Sequence, residues 1–181
     1  MNSFYTETEL HTLGFCSLGK NVLVSKKCSI YSPSTISIGN NVRIDDYCLL
    51  SGKISIGSNI HISAYAAIYG TYGVVLGDYS GLSPRSTIYS AVDDFSGDYL
   101  IGPIHNNKCI HLLKGEVCIG KYSQVGANSI IFPNVNVGEG VAIGAFSMVK
   151  EDLEPWGIYV GIPVIRLKDR SKGLLKFICD V

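Results

Sequence analysis

Three side chains near the middle of the sequence could take part in proton transfer. His61 stands between two isoleucines, and Asp93 and Asp94 are adjacent in a polar stretch. An imidazole has an ordinary pKa of about 6.5, so it is a stronger base than a carboxylate, whose ordinary pKa is about 3.9. His61 is therefore a candidate general base. A purely structural role on a β-surface is the alternative for this residue.

A six-residue repeat of aliphatic side chains defines the elements that must position these groups. A period of six fits neither a 3.6-residue helix nor plain two-residue alternation, but it fits short β-strands separated by tight turns. Each repeat offers one large inward residue and, four positions later, a small or β-branched one. The large residues are Leu18, Val24, Ile30, Ile36, Ile38, Ile44, Leu50, Ile56, Ile62, Ile68, Leu76, Leu82, Ile88, Ile119, Val125, Ile131, Val137, Ile143 and Val149.

Three such hexapeptides make one triangular coil, and coil starts recur about every eighteen residues. One coil cannot bury its aliphatic row alone, so coils must stack around a shared core. The sequence therefore predicts an all-β fold, a parallel β-helix, in a single domain. We place an N-terminal cap at 1–17 and the β-helix at 18–153, with a loop insertion at about 92–116. A tail at 154–181 includes a short helix from Ser171 to Ile178.

The insertion interrupts the repeat with polar and aromatic residues. A long loop on a rigid scaffold is where binding specificity usually lies. His105 and His111 fall inside it, but no repeat register fixes the direction of their side chains, so we rank both below His61 as bases. Tyrosines would form a rim around the loop: Tyr65, Tyr69, Tyr72, Tyr89 and Tyr99.

Composition argues against several classes of protein. The formal net charge is zero, with 15 basic and 15 acidic residues and no basic block, so nucleic acid is not an expected partner. No apolar run approaches the roughly 18–20 residues that cross a bilayer, and no signal peptide is visible, so we expect a cytoplasmic protein. The six cysteines include no Cys-x-x-Cys pair. Cys16, Cys28 and Cys48 fall in the small inward column, which predicts buried thiols and no metal.

The end of the repeat carries a family resemblance. The stretch Ile143–Lys150, followed by Tyr159–Pro163, resembles the closing coil and Gly-x-Pro tail of the hexapeptide-repeat acyltransferases. In pattern the chain is most similar to the sugar acetyltransferases of the galactoside, maltose and surface-polysaccharide group. The resemblance covers about residues 18–170. It implies a left-handed β-helix, a homotrimer, and three active sites between neighbouring subunits that bind acetyl-CoA.

The resemblance also implies residues that bind the two substrates. Ala127 and Ala145 match positions that line CoA, where small side chains let the pantetheine chain approach the backbone. Lys150, Arg166 and Lys168 lie where the family often places cations for the CoA phosphates, and solvated surface charge is the alternative. On the acceptor side, we expect contacts from Tyr65, Tyr89, Ser90 and Tyr99.

The general base departs from the family pattern. In the family's sugar O-acetyltransferases the general base is a histidine. The segment Ile88–Asp94 resembles the segment that carries this histidine, but here Asp93 stands at its position. An aspartate would match an imidazole only if burial raised its pKa to about 6.5. We therefore predict that His61 is the base. In a trimer His61 and Asp93 could converge from two subunits, and Asp93 or Asp94 would then orient the imidazole or hold the acceptor.

The predicted activity is transfer of an acetyl group from acetyl-CoA to a sugar or nucleotide-sugar, in surface-polysaccharide biosynthesis. The acceptor atom is a hydroxyl oxygen or an amine nitrogen. The aspartate pair is compatible with an amine acceptor, because carboxylates can bind its ammonium form. One alternative is a non-catalytic β-helix used as a scaffold. Another is a zinc-dependent carbonic anhydrase of γ type, for which His61, His105 and His111 would have to be the metal ligands.

Overall fold

The computed structural model describes residues 3–180, with side chains up to residue 178. The chain is a parallel β-solenoid of about seven turns that fits a left-handed β-helix, so the predicted fold class is confirmed. Its strands are β1 (Ser17–Leu18), β2 (Val22–Val24), β3 (Ser29–Tyr31), β4 (Ile36–Ile38), β5 (Val42–Ile44), β6 (Leu49–Ile56), β7 (Ile60–Ile62), β8 (Ala67–Leu76), β9 (Gly81–Leu82), β10 (Thr87–Tyr89), β11 (Ala91–Asp93), β12 (Leu112–Lys114), β13 (Val117–Ile119), β14 (Gln124–Val125), β15 (Ile130–Ile131), β16 (Asn136–Val137), β17 (Ala142–Ile143), β18 (Met148–Val149), β19 (Gly157–Val160) and β20 (Ile165–Asp169).

Three parallel ladders form the walls of the solenoid. The first wall joins β1, β4, the end of β6, the end of β8, β13 and β16. The second wall joins β2, β5, β7, β9, β14, β17 and β19. The third wall joins β3, the start of β6, the start of β8, β10, β15 and β18. Strand β20 returns antiparallel beside β19 at the edge of the second wall.

The core is the stack of aliphatic side chains inside these walls. The predicted large residues are buried, except Leu18 and Ile30, which are partly buried against the same cluster. Burying one such side chain contributes roughly 1.5–3 kcal/mol, so repetition along the axis stabilises the whole array. Serines of the small inward column link coils: the Ser129 hydroxyl donates to the Gly144 carbonyl at 2.9 Å and accepts from the Ser147 N–H at 3.1 Å.

The corner between the second and third walls is built from residues in the left-handed backbone region. At five levels one residue with φ between 55° and 63° makes the turn, and from Tyr65 onward its N–H donates to a carbonyl of the preceding coil. The side chains of these residues therefore form a column on the outside of the solenoid. The column consists of Tyr47, Tyr65, Arg85, Asn128 and Phe146.

The insertion has a stem that the sequence did not predict. Strand β11 leaves the third wall after β10 and pairs antiparallel with β12, which leads back to β13. The pairing sets Val92 opposite Leu113 and Asp93 opposite Leu112. At the root, the N–H of Gly115 donates to the Ser90 carbonyl at 3.0 Å. The stem therefore fixes how the loop residues just beyond it face each other.

Both ends of the array carry short helices. Helix α1 (Glu7–Thr12) starts at a capping box in which Thr6 and Glu9 bond each other's backbone, and its Leu10 is buried in the core. The predicted C-terminal helix is present as a 3₁₀ helix from Gly173 to Asp180. None of the helices within residues 3–180 has the length and apolarity that crossing a membrane would require.

The cysteine column agrees only in part with the sequence prediction. Cys48 is buried and Cys28 is half-buried, with thiols directed at carbonyl oxygens of the next coil at 3.2 and 3.1 Å. The prediction that Cys16 is buried is wrong, because this residue is exposed. It lies just before the first strand, at the end of the array, where no earlier coil covers it.

Candidate active site

The stem of the insertion brings Asp94 and His111 face to face. The N–H of Asp94 donates to the carbonyl oxygen of His111 at 3.0 Å, and Nδ1 of His111 lies 2.9 Å from Oδ2 of Asp94. An ionised carboxylate only accepts hydrogen bonds, so Nδ1 carries the proton and Nε2 of the neutral imidazole keeps a lone pair. The His111 side chain is half exposed, while Asp94 is mostly covered. This pair has the composition of a base and the group that orients it.

Other loop residues fix the same pair. The ring of Tyr99 lies against the imidazole of His111, with centroids 5.0 Å apart and an interplanar angle of 32°. The N–H of Ser96 donates to Oδ1 of Asp94 at 2.8 Å. This backbone hydrogen bond, and after it the bond with His111, hold the pKa of Asp94 below its ordinary value. Asp94 is therefore ionised at neutral pH and is itself a poor base.

Asp93 is directed toward another part of the loop. Its carboxylate accepts a hydrogen bond from the N–H of Gly102 at 3.2 Å. It therefore anchors the far side of the loop to the end of β11. Asp93 stands at the position of the family's catalytic histidine. In this chain its carboxylate therefore has a structural role, because it binds the Gly102 N–H.

His61 forms a second imidazole–carboxylate pair, on the second wall. Strand pairing sets it beside Arg43 of the preceding coil. Its Nε2 lies 2.6 Å from Oδ2 of Asp45, and Nε of Arg43 donates to Oδ1 of Asp45 at 2.7 Å. Partial burial of Asp45 opposes ionisation, but the hydrogen bonds from Arg43 and His61 bring its pKa below the ordinary value. Because Asp45 engages Nε2, the nitrogen of His61 that can accept a proton is Nδ1, next to its own backbone.

The two aspartates expected to orient His61 do not contact it within one chain. His61 lies on β7 in the second wall, whereas Asp93 and Asp94 follow β10 of the third wall. Asp45 takes the orienting position instead. An approach of Asp93 or Asp94 from a neighbouring subunit stays a prediction.

The three histidines named for a zinc site have different surroundings. His61 and His111 pair with different aspartates, and among the described residues His105 forms no hydrogen bond or ion pair. Within the part of the chain that the structure describes, no three His, Cys, Asp or Glu side chains form a group that could hold a metal ion.

Two of the predicted acceptor residues lie at the foot of the stem. Tyr89 stacks on Tyr69 with ring centroids 5.0 Å apart and an interplanar angle of 6°. The Ser90 hydroxyl is fully buried; it donates to the Tyr69 carbonyl at 2.8 Å and accepts from the Tyr72 N–H at 2.9 Å. Ser90 therefore supports the stem from inside, and its hydroxyl does not face the solvent side where an acceptor would arrive.

Tyr65 lies elsewhere, in the column at the corner between the second and third walls. It stacks on Tyr47 at 5.0 Å, and the guanidinium of Arg85 lies 4.9 Å from its other side. Tyr99, the remaining predicted acceptor residue, belongs to the loop and lies on His111. The predicted acceptor residues thus occupy two separate surfaces of one chain.

The predicted donor residues Ala127 and Ala145 share one position on successive coils of this same corner. The N–H of Phe146 donates to the Ala127 carbonyl at 2.8 Å, so the two levels are stacked directly. Ala127 is half-buried and Ala145 is exposed. Because the side chains at positions 127 and 145 are small, a flexible ligand chain could lie close to the backbone there, beside the column of Asn128 and Phe146.

The predicted cations lie toward the C-terminal end. Lys150 is exposed, and its ammonium lies 5.2 Å from the ring of Phe132. Arg166 pairs with Asp169 at 2.7 Å, and this carboxylate is the largest cause that raises the pKa of Arg166. Lys168 is exposed on β20. Lys150 and Lys168 have no carboxylate partner among the described residues.

Sequence reasoning missed the polar residues around His61 on the second wall. Gly81 is opposite both His61 and Gln124 in the ladder, and a side chain at Gly81 would collide with Gln124. The Gln124 amide folds over this glycine and donates to the Ser83 hydroxyl at 3.0 Å. Coil spacing could have found Arg43, since it precedes His61 by one coil. The series resumes at Ile119 after the insertion, but spacing does not say that the Gln124 amide would cover Gly81.

Comparisons with known proteins agree with this architecture. A dTDP-4-amino-4,6-dideoxy-D-glucose acyltransferase of Escherichia coli is 44% identical over 177 residues, covering 96% of this chain and 92% of that enzyme. A galactoside O-acetyltransferase of Escherichia coli strain K12 is 28% identical over 156 residues, 82% of this chain and 72% of that enzyme. No protein-family model matches the chain.

A solved structure is similar over nearly the whole chain. AntD, an N-acyltransferase from Bacillus cereus in complex with dTDP and 3-hydroxybutyryl-CoA, is 54% identical, with a TM-score of 0.98 over 99% of this chain and 96% of that one. Other AntD structures hold dTDP-4-amino-4,6-dideoxyglucose and Coenzyme A, in variants of one serine. These similarities show an enzyme, so the alternative of a non-catalytic scaffold is wrong. The chain belongs to the family of CoA-dependent sugar acyltransferases built on hexapeptide repeats.

Proposed function

We propose that this enzyme transfers an acyl group from acyl-CoA to the amino group of a nucleotide-linked amino sugar. One observation carries the proposal: two relatives that match almost the full chain are an acyltransferase of dTDP-4-amino-4,6-dideoxy-D-glucose and an N-acyltransferase. The acceptor we expect is dTDP-4-amino-4,6-dideoxyglucose. Its acylated product would serve surface-polysaccharide biosynthesis, and the cytoplasm, where acyl-CoA is made, is the expected compartment.

The charges at the stem support an amine acceptor. A sugar amine arrives largely as an ammonium ion, and Asp94, with its low pKa, carries the negative charge that would attract it. Asp93, the preceding residue, adds a second carboxyl group to the same loop, bound to the Gly102 N–H. A neutral hydroxyl would gain much less from this field. We therefore assign Asp93 and Asp94 to the acceptor side of the site, with Tyr89 and Tyr99 as its aromatic walls.

The reaction itself needs one proton acceptor. The amine nitrogen loses its ammonium proton to a base and attacks the thioester carbonyl carbon, forming the C–N bond. The tetrahedral intermediate then breaks its C–S bond, its nitrogen gives up a second proton, and the CoA sulfur leaves with a proton. His61 was the base expected from the sequence, and its Nδ1 is the atom that would have to act.

The donor would lie along the corner that carries Ala127 and Ala145. Small side chains there support close approach of the pantetheine chain to the backbone. The phosphates of CoA would meet three cations, Lys150, Arg166 and Lys168. Of these, Lys150 and Lys168 are exposed and lack acid partners among the described residues. Acetyl is the acyl group expected from the sequence, and 3-hydroxybutyryl is the one bound to AntD.

A homotrimer would complete the site. The insertion presents apolar side chains to solvent, with Phe95 75% and Ile104 86% exposed, and exposed apolar patches often mark interaction surfaces. The corner column also carries an exposed aromatic, Phe146. We propose that the loop of one subunit packs against the corner of its neighbour, so that acceptor and donor residues meet between chains.

Thiol release from acyl-CoA tests the proposed function. Purified enzyme would be incubated with acetyl-CoA or 3-hydroxybutyryl-CoA, and with either dTDP-4-amino-4,6-dideoxyglucose or dTDP-glucose. We expect CoA release with the amino sugar, and mass spectrometry should find the amide product. dTDP-glucose, which offers hydroxyls only, is the matched control. Equal or faster turnover of dTDP-glucose would contradict N-acylation, and no turnover of either would contradict the proposed acceptor class.

A further inference from the structure

The two imidazole–carboxylate pairs of this chain present different nitrogens. In His111, Asp94 bonds Nδ1, the nitrogen nearer the backbone, at 2.9 Å. The outer nitrogen, Nε2, is then the one with the lone pair, and the side chain is half exposed. In His61, Asp45 bonds Nε2 at 2.6 Å and leaves only the inner Nδ1. The outer nitrogen can reach a bound substrate with far less steric hindrance.

The surroundings of His111 also limit its motion. The carboxylate of Asp94 is itself held by the Ser96 N–H at 2.8 Å, and the ring of Tyr99 lies against the imidazole. The backbone bond between Asp94 and His111 ties both residues to the end of the stem. A base whose orientation is fixed before the substrate arrives loses little entropy when the reaction begins.

We infer that His111 is the general base of acyl transfer and that Asp94 is its positioning residue. The inference rests on the proposed N-acylation. Nε2 of His111 takes the proton from the sugar ammonium, and the free amine then attacks the thioester carbon. As the C–S bond breaks, the imidazolium returns a proton to the leaving CoA thiolate, while the amide nitrogen releases its second proton to solvent. Amide and CoA thiol result, and His111 ends neutral.

This assignment explains how the chain works with Asp93 at the position of the family's histidine. The imidazole comes from the residue just before the returning strand β12, 18 residues later in the sequence, and the antiparallel stem places it beside Asp94. The groups that face His111 within the described residues are the carboxylate of Asp94 and the ring of Tyr99. The base is thus supplied by the loop rather than by a coil.

Four variants test the inference: His111→Ala, Asp94→Asn, His61→Ala as the rival base, and His11→Ala as an exposed histidine control on α1. Steady-state kinetics would be measured from pH 5.5 to 8.5 with acetyl-CoA and the amino sugar. We expect His111→Ala to lower kcat by about 10²–10⁴-fold and to flatten the dependence of kcat on pH across this range. Asp94→Asn should lower kcat and change the shape of the same pH profile, and His11→Ala should match the wild type.

A rescue experiment separates catalysis from folding. Added imidazole should restore part of the activity of His111→Ala, since the missing base is then supplied from solution. The inference is overturned if His111→Ala turns over like the wild type, if only His61→Ala loses activity, or if imidazole rescues nothing. An inactive wild type would instead count against the proposed acceptor, so the two failures are distinguishable.

Discussion

Buried hydroxyls at single positions hold the functional loop to the solenoid. Ser90 is fully buried and bonds both the Tyr69 carbonyl and the Tyr72 N–H from its side chain. Its own N–H and carbonyl are used as well, by Tyr69 and Gly115. One residue thus ties the root of the stem to strand β8 of the preceding coil. The orientation of Asp94 and His111, beyond the stem, depends on this anchoring.

Ser90→Ala should therefore destabilise the protein more than it affects acceptor binding. It leaves the Tyr72 N–H without its partner in a partly buried place, which costs about 1 kcal/mol in the free energy of unfolding. Urea denaturation would measure the loss, with the exposed Ser34→Ala as a matched control expected to change stability by less than about 0.5 kcal/mol. A raised KM for the amino sugar with unchanged stability would instead place Ser90 in the acceptor site.

Residues differ in how far the sequence determines their surroundings. The large inward positions were predictable because each one stacks on its equivalents one coil above and below, and those are set by spacing. The pairing of Asp94 with His111 was not, because it depends on the path of a loop that has no repeat. Cys16 followed the spacing but escaped burial, since a repeat rule does not say where the stack ends.

The terminal helix illustrates how an element outside the repeat is held. Helix α1 is only six residues long, so its stability depends on its capping box and on the ion pair between Glu9 and Lys26 at 2.6 Å. The hydrogen bond from Lys26, followed by those from Thr6, lowers the pKa of Glu9 from its ordinary value of 4.5 to about 2. A folded-state pKa below the unfolded one stabilises the fold at high pH.

Acid should therefore weaken this cap in a defined window. The contribution of Glu9 is fully present above pH 4.5 and is lost as the pH falls toward about 2. In Glu9→Gln the charge is absent at every pH, so thermal unfolding should depend less steeply on pH between these limits than in the wild type. Melting curves recorded by circular dichroism in that range measure the difference. Identical slopes for the two proteins would mean that the ion pair contributes nothing to folding.

Elements inside the repeat were predictable, and the insertion was predictable only as an interruption. The count of six identified the short strands because every strand from β1 to β10 and from β13 to β18 carries at least one aliphatic residue of the series. The stem of β11 and β12 gave no such signal: its pairing joins residues on either side of a long loop, and the burial of both strands is only partial. Closing a loop of this length is decided by tertiary contacts, which periodicity does not encode.

Within one chain, the proposed donor-binding and acceptor-binding residues lie on two different faces of the solenoid. The proposed donor corner lies between the second and third walls, while Asp94 and His111 stand on a loop that leaves the far end of the third wall. A trimer related by rotation repeats both surfaces three times and can bring the loop of each subunit to the corner of the next. The exposed apolar side chains of the loop, Phe95 and Ile104 among them, would be covered in that arrangement.

Complementation between subunits tests this shared site. His111→Ala damages the loop, and Ala127→Trp blocks the corner with a large side chain, so each protein alone should be inactive. In every mixed trimer one intact loop meets one intact corner, so about a third of the sites in the isolated mixed trimers should be restored. Differently tagged chains would be co-expressed, mixed trimers isolated, and thiol release measured. Mixing His111→Ala with Asp94→Asn is the control that should stay inactive, because every loop is then damaged. No recovery in the first mixture would mean that loop and corner act within one chain.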